Sequence, residues 1–260
     1  MDKKSLVAYM TAIGGFQNEK EVAEKFNNWK KDKDAQEWLK IMMYNLDEIQ
    51  SVESIEFGGE GYKSDVLVTV VVKIIRTSGE KTIQSVEKIQ VKLVSGATGS
   101  NQIERKYVKS YIKQWHIPED VKNSLELFCG AKPPRENSRN EKRMYIDELT
   151  EQEQDNLKKF LKENMVMMIS DVIRGRGRYA AEWMLVIHKY EGYKWKLVSI
   201  NEAINYYVGE HDVEFTARGG IRIGRVTMQR KGGDNGKESA NQLQFKSNPL
   251  GVFNIKDELY

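Results

Sequence analysis

The chain has 260 residues, 41 basic against 38 acidic, with a formal charge of +3 and a pI near 8.6. It is long enough to bury one large core or two modest ones, and with charge so nearly balanced, where the basic residues lie bears more on nucleic acid than their sum. A single cysteine, Cys129, excludes an internal disulfide, three scattered histidines (His116, His188, His211) exclude zinc-ligand spacing, no apolar run approaches the ~20 residues of a membrane span, and the expected compartment is a reducing cytoplasm.

The opening MDKKSLVAYMTAIGG reads as a short amphipathic helix. Residues 17–31 then place Val22, Phe26 and Trp29 at helical spacing, and DAQEWLKIMMYNL repeats the pattern with Trp38, Ile41, Met42 and Leu46. After SVESIEF and the Gly-rich turn GGEGYKSD, the valines and isoleucines of VLVTVVVKIIR predict a buried strand, TSGE turns the chain, and EKIQVKLVSG lies in the returning strand. NQIERKYVKSYIKQW spaces Ile103, Tyr107, Tyr111 and Trp115 as one helical stripe, and a further helix begins at Pro118.

AKPPRENSRNEKR combines a double proline with polar and charged residues and no periodicity, the composition of a linker, and a boundary is placed over 131–144. Beyond it TEQEQDNLKKFLKEN predicts a helix capped by Thr150 with Leu157, Phe160 and Leu161 buried. MVMMISDVI, WMLVIHKY, KWKLVSI and RIGRVTMQRK read as strands, with a short helix near NEAINYYV.

In EKIQVKLVSG the period of two sends Ile89, Val91 and Leu93 to one face and Gln90 and Lys92 to the other. Asp65, at the start of the preceding strand, can join them. A carboxylate, an amide oxygen and the Val91 carbonyl form a partial oxygen shell for Mg²⁺, and a lysine beside them can favour a hydroxide nucleophile or the charge on a phosphorane. That set suits phosphodiester hydrolysis, although a solvated strand face is the commoner meaning of such a triplet. Glu19 and Glu21 on the first strong helix could lend a further carboxylate, against the reading that they pair with Lys20 or Lys25.

Basic residues gather in the C-terminal half. From Arg218 to Lys237 six arginines and lysines stand against Asp234 alone. Alternation puts Val226 and Met228 on one face and Arg225, Thr227 and Gln229 on the other. Arginine with glutamine or asparagine suits base edges, and lysines with glycine-exposed amides suit phosphates. ANQLQFK adds Asn241, Gln242, Gln244 and Lys246, and RGRGRYAAEW alternates Arg174, Arg176 and Arg178 with glycine. The competing reading of each cluster is an exposed hairpin with cationic gatekeepers.

In order along the chain, GFQNEKEVAEKFNNW, NLDEIQSV, GYKSD, IQVKLVS, NQIERKY, RGRGRYAAEW and GRVTMQRKGGDNGKESANQLQFK resemble the small restriction endonucleases of the HinPI and MspI type in the PD-(D/E)XK nuclease superfamily. The resemblance implies an α/β (α+β) fold, a mixed central β-sheet flanked by helices. It implies a catalytic subdomain over 1–130 and a DNA-recognition subdomain over 145–260. Asp65 matches the metal-binding aspartate, Gln90 stands where the superfamily has an acid, and Lys92 matches the catalytic lysine; Asp65, Gln90 and Val91 would hold Mg²⁺. The expected DNA-contacting residues are Ser64, Ser95, Asn101, Gln102, Arg174, Arg176, Arg178, Arg225, Gln229, Arg230, Lys231, Asp234, Asn235, Asn241 and Gln242.

The implied activity is cleavage of double-stranded DNA at GCGC in a bacterial cytoplasm. The enzyme would act as a monomer, or in an outward-facing dimer, beside a cognate DNA methyltransferase. Two departures from the pattern are a longer hairpin between Asp65 and Gln90, and Ser100 where an aromatic wedge is expected. A structure-directed nuclease and a DNA-binding protein with a decayed site are the rival readings.

Overall fold

The structure, a computed structural model, describes residues 17–57, 63–76, 79–97, 99, 101–190, 192–216, 219–232 and 238–256, with side chains omitted at 74–76 and 79. The helix expected over the first fifteen residues, Ser100, Asp234 and Asn235 lie outside them. The chain folds as two compact units. The first is Met1–Thr98, Ile173–Ala203 and Pro249–Tyr260; the second is Gly99–Val172 and Ile204–Asn248.

The units are therefore interleaved in sequence, and a division into consecutive halves does not describe them. Residues 131–144 lie inside the second unit: Met144 donates its N–H to Leu127 O at 2.9 Å, and Arg143 Nη1 donates to Lys231 O at 2.7 Å. A polar, proline-bearing composition marks a surface connection, and it does so equally for a loop within a unit and a link between two.

The first unit is built on a five-stranded sheet in the order β1-β2-β3-β5-β6. Its strands are β1 (Ile49–Glu56), β2 (Val66–Arg76), β3 (Gly79–Val94), β5 (Trp183–His188) and β6 (Lys194–Ser199). All neighbours are antiparallel except β3 and β5, which run parallel with Gln90 opposite Met184 and Lys92 opposite Val186. Helix α1 (17–27) and helix α2 (Lys33–Ile41) cover one face, burying Val22, Phe26, Trp38 and Leu39 with Val66, Val68, Val70, Ile89 and Val91. Asp32 starts α2 by accepting the Ala35 N–H at 3.0 Å, a side-chain cap for a donor the helix itself cannot satisfy. The 3₁₀ segment Pro249–Asn254 lies against β3, β5 and β6.

The second unit carries an antiparallel sheet in the order β4-β10-β9-β8-β7, made of β4 (Asn101–Tyr107), β7 (Val213–Phe215), β8 (Ile221–Ile223), β9 (Val226–Arg230) and β10 (Gln242–Ser247). Its inner face buries Ile221, Ile223, Val226, Met228, Leu243 and Phe245, and the Phe245 ring meets Tyr111 at 5.3 Å and Trp115 at 5.7 Å. The helices are α3 (Val108–Trp115), α4 (Glu119–Cys129), α5 (Glu151–Glu163), α6 (Met165–Ile173) and α7 (Ile200–Val208), the last two crossing from one unit's residues to the other's. Thr150 and Glu153 form the expected capping box on α5. Cys129 is buried, and burial pushes its thiol up to about 11.

Two expected elements change type. MVMMISDVI is helix α6, with Met165, Met168, Ile169, Val172 and Ile173 buried at helical spacing and Val166 exposed. A nine-residue apolar run fits a buried strand or a buried helix alike. NQIERKYVKSYIKQW divides into β4 and α3 at Tyr107. The strand half is set by pairing with β10 far along the chain, which local spacing does not encode.

Candidate active site

The register of the β2–β3 hairpin builds the site. Val66 pairs with Ile89 and both are fully buried on the helix-covered face, so Gln90 belongs to the opposite face, while Asp65 stands at the bend just before β2. Asp65 N–H donates to Ile89 O at 2.8 Å, and one carboxylate oxygen, Oδ2, accepts the Val91 N–H at 2.7 Å. A strand residue turns its N–H and C=O to the same edge, so the Val91 carbonyl also faces the edge where Asp65 sits. Lys92 follows Gln90 on their shared face and is half-buried.

Burial governs the electrostatics of this carboxylate. Burial raises the Asp65 carboxyl above its usual value, and Lys92, the Val91 N–H and Lys63 pull it back only in part. Gln90 is 1 % exposed, and its Oε1 accepts no hydrogen bond. An amide oxygen buried without a donor costs on the order of 1–3 kcal/mol. Next to it along β3, the Val91 N–H is held by the Asp65 carboxylate, which burial keeps above its usual value.

A hard divalent cation coordinated by oxygen supplies what both groups lack. The residues present fit Mg²⁺ in donor type: one carboxylate, one amide oxygen and one backbone carbonyl, with water to complete the shell. Among the described residues no group of three or more His, Cys, Asp or Glu is placed to hold a metal.

Glu19 is the neighbour whose part the motifs left open. Its carboxyl is pushed up to about 7, by burial first and then by the negative charge of Asp65, with Lys92 acting against the rise and Glu56 adding to it. The signal was present in sequence, since Asn18 and Glu19 precede Val22 by four and three residues and fall on the apolar stripe of α1. Glu21 is off that stripe and pairs with Lys189 at 2.6 Å. Glu87, on the sheet's other face, accepts the Trp183 indole N–H at 2.7 Å.

The arginine loop belongs to this same unit. Arg174, Arg176 and Arg178 are exposed between α6 and β5, with Gly175 and Gly177 both at φ +78. A Cβ on Gly175 would come within 2.5 Å of the Lys63 side chain, so glycine permits the close approach as well as the left-handed backbone. Ser64, buried beside Asp65, donates its hydroxyl to Tyr179 O at 2.9 Å, and the Tyr179 and Phe57 rings lie 4.4 Å apart. The loop is thus tied to the segment carrying Asp65. Ser64 serves that tie, while Ser95 is exposed just after β3.

The remaining expected contacts lie in the second unit. Arg230 shares parity with Val226 and Met228, so it turns to the inner face, where Nη1 donates to Met144 O at 2.7 Å and the guanidinium stacks on Tyr145 at 4.3 Å. Arg225 donates to Tyr206 O at 2.5 Å and lies over that ring, and Lys231 donates to Ser239 O at 3.1 Å. Asn241 joins the backbone of the segment before β10 to α3, its carbonyl accepting the Val108 N–H at 3.2 Å. Gln229, Gln242, Asn101 and Gln102 are on strands of the second sheet.

Residues 42–253 match the family model described as R.HinP1I restriction endonuclease. The chain belongs to that family. It is accordingly a type II site-specific deoxyribonuclease, from a class of enzymes that generally use divalent metal ions. No curated protein sequence matches it. Among solved structures it is similar to restriction endonuclease MspI in complex with its cognate DNA, with a TM-score of 0.62 and 15% identity over 90% of this chain and 88% of that one. At that identity the likeness concerns the fold, a mixed sheet flanked by helices.

Proposed function

We propose that this endonuclease hydrolyses a phosphodiester bond at GCGC in duplex DNA with Mg²⁺, using Asp65, Gln90 and Lys92. The observation that supports this reading is the Asp65 carboxylate accepting the N–H of Val91, the residue between Gln90 and Lys92, beside a Gln90 Oε1 with no hydrogen-bond partner. Asp65, Gln90 and the Val91 carbonyl would hold the cation. When bound, Mg²⁺ supplies charge to the phosphorane oxygens and makes a nearby water more acidic.

Lys92 sets its ammonium beside the reacting phosphate, where it stabilises negative charge as it develops. Gln90 contributes an oxygen without a charge, so Glu19, whose carboxyl sits near neutrality without metal, is placed to deepen the field on cation binding. Arg174, Arg176 and Arg178, fixed to the Asp65 segment through Ser64 and Lys63, contact the DNA backbone. GCGC rests on the resemblance of the ordered segments that run nearly end to end along the chain, and on family membership. One Asp65/Gln90/Lys92 set per chain favours a monomer that cuts the two strands in separate events, in a cytoplasm where a cognate methyltransferase protects the host sites.

Digestion of a sequenced plasmid with Mg²⁺, beside an Asp65→Ala control, tests the reading. Discrete fragments ending at GCGC support it. Discrete fragments ending elsewhere replace the site, and a smear or intact DNA overturns it.

Gln90→Glu should bind Mg²⁺ more tightly and keep at least partial cleavage, because it adds charge to an oxygen ligand without moving it. Loss of metal binding in that variant, measured by titration calorimetry, would contradict the role given to Gln90. Metal binding to the wild-type protein should release protons. Glu19 with a value near 7 is largely protonated below that pH, so apparent Mg²⁺ affinity rises as pH passes upward through about 7 and then levels. Calorimetry in two buffers of different ionisation enthalpy reads the proton release, and equal heats in both would refute it.

A further inference from the structure

We propose that the outer face of the second sheet reads DNA bases through Arg105, Gln244 and Gln229, one from each of three adjacent strands. The inference rests on the reading of the chain as a sequence-specific DNA nuclease and assigns the chemistry of its specificity. Gln244 on β10 pairs with Arg105 on β4 on one side and with Gln229 on β9 on the other, so the three side chains leave the sheet in a single row. Leu243, Phe245, Val226 and Met228 occupy the other face and are buried, which puts the row on the side away from the core.

The state of these side chains separates them from the other polar groups of the segment. Arg225, Arg230 and Lys231 each donate to backbone carbonyls within the unit, and Arg222 pairs with Glu214 at 2.9 Å. The side chains of Arg105, Gln244 and Gln229 make no hydrogen bond or ion pair with the described residues. Gln242, two residues before Gln244 on the same face, has its Oε1 shielded from water with no donor to it. Natural folds rarely leave a buried acceptor unpaired, and a donor from outside the chain resolves it.

The dimensions and chemistry suit base edges. Strands lie about 4.8 Å apart, so three of them carry the row across roughly 10 Å, within a major groove about 12 Å wide. The Arg105 fork matches O6 and N7 of guanine. Each glutamine offers two donors and an acceptor, which serve guanine acceptors or the cytosine amino group. The sheet holds the row rigidly, so wrong bases leave its groups unpaired and are rejected.

The test is selection of bound duplexes from a random-sequence pool in Ca²⁺, by wild type, Arg105→Ala, Gln244→Glu and Gln229→Ala, each checked for native circular dichroism. The wild type should enrich one motif. Each variant should lose preference at one or two positions, with affinity for the motif falling by about 10- to 100-fold per base contact and non-specific binding unchanged. An unaltered motif and affinity in all three variants would make the face merely solvated and overturn the proposal. A uniform loss on every sequence, with a shallower salt slope, would make it a phosphate surface and overturn it equally. A wild type that enriches no motif also overturns it, and parallel plasmid digestion in Mg²⁺ reports separately on the nuclease reading.

Discussion

Asp65→Ala should lower Mg²⁺-dependent cleavage by about 10³-fold or more, the scale of losing several kcal/mol of transition-state charge stabilisation. The same position should show the opposite effect on folding. Burial holds the Asp65 carboxyl above its unfolded value, so its ionised form destabilises the metal-free protein. That cost is absent below the unfolded value and grows as pH rises through the folded one. Asp65→Asn should therefore melt higher than wild type at pH 8 without metal, and the gap should narrow at acid pH and on adding Mg²⁺ to the wild type. Thermal denaturation with and without chelator measures this. A variant that loses cleavage and melts lower at pH 8 would give Asp65 a structural role instead.

Lys92→Ala should cost about 10²–10³-fold in cleavage, the size of effect seen when one donor to a developing anion is removed. Metal binding should survive, since Lys92 offers the cation no oxygen. Single-turnover rates carry the loss, because the interaction strengthens only as charge builds on the phosphorane. Lys92→Arg keeps the charge but has a planar, rigid head, and it should restore less than full activity. Cleavage by Lys92→Ala at the wild-type rate would remove lysine from the chemistry.

The local pattern of the candidate site was more legible in the sequence than the order of the elements around it. The alternation of Ile89, Gln90, Val91 and Lys92 is a property of four consecutive residues, and the strand keeps it wherever it is placed. Convergence of Asp65 on Gln90 needed the hairpin register, which valine-rich pairing on the buried face enforces and which a one-residue slip would invert. Helices α1, α2, α4 and α5 showed themselves through spacing and caps.

Helix α6 did not, because Met165 to Ile173 is apolar enough to satisfy either period over nine residues. β4 did not, because its partner β10 lies at least 135 residues away along the chain. Arg230 illustrates a separate difficulty. Composition placed it with the basic residues facing a partner, whereas its parity with Val226 and Met228 sends it to carbonyls that need a donor. Residue type suggested a ligand, and position decided the matter.

The parallel pairing of β3 with β5 has a consequence for how the enzyme is made. Parallel neighbours require a crossover, and here it runs from Val94 to Trp183, through residues that belong to the other unit. A ribosome that has synthesised the first 170 residues has supplied Asp65, Gln90 and Lys92 but neither β5, β6 nor the 249–254 segment that lies against them. Such distant contacts form late and slowly. Asp65, Gln90 and Lys92 are therefore all in place in the chain before the strands that complete their sheet.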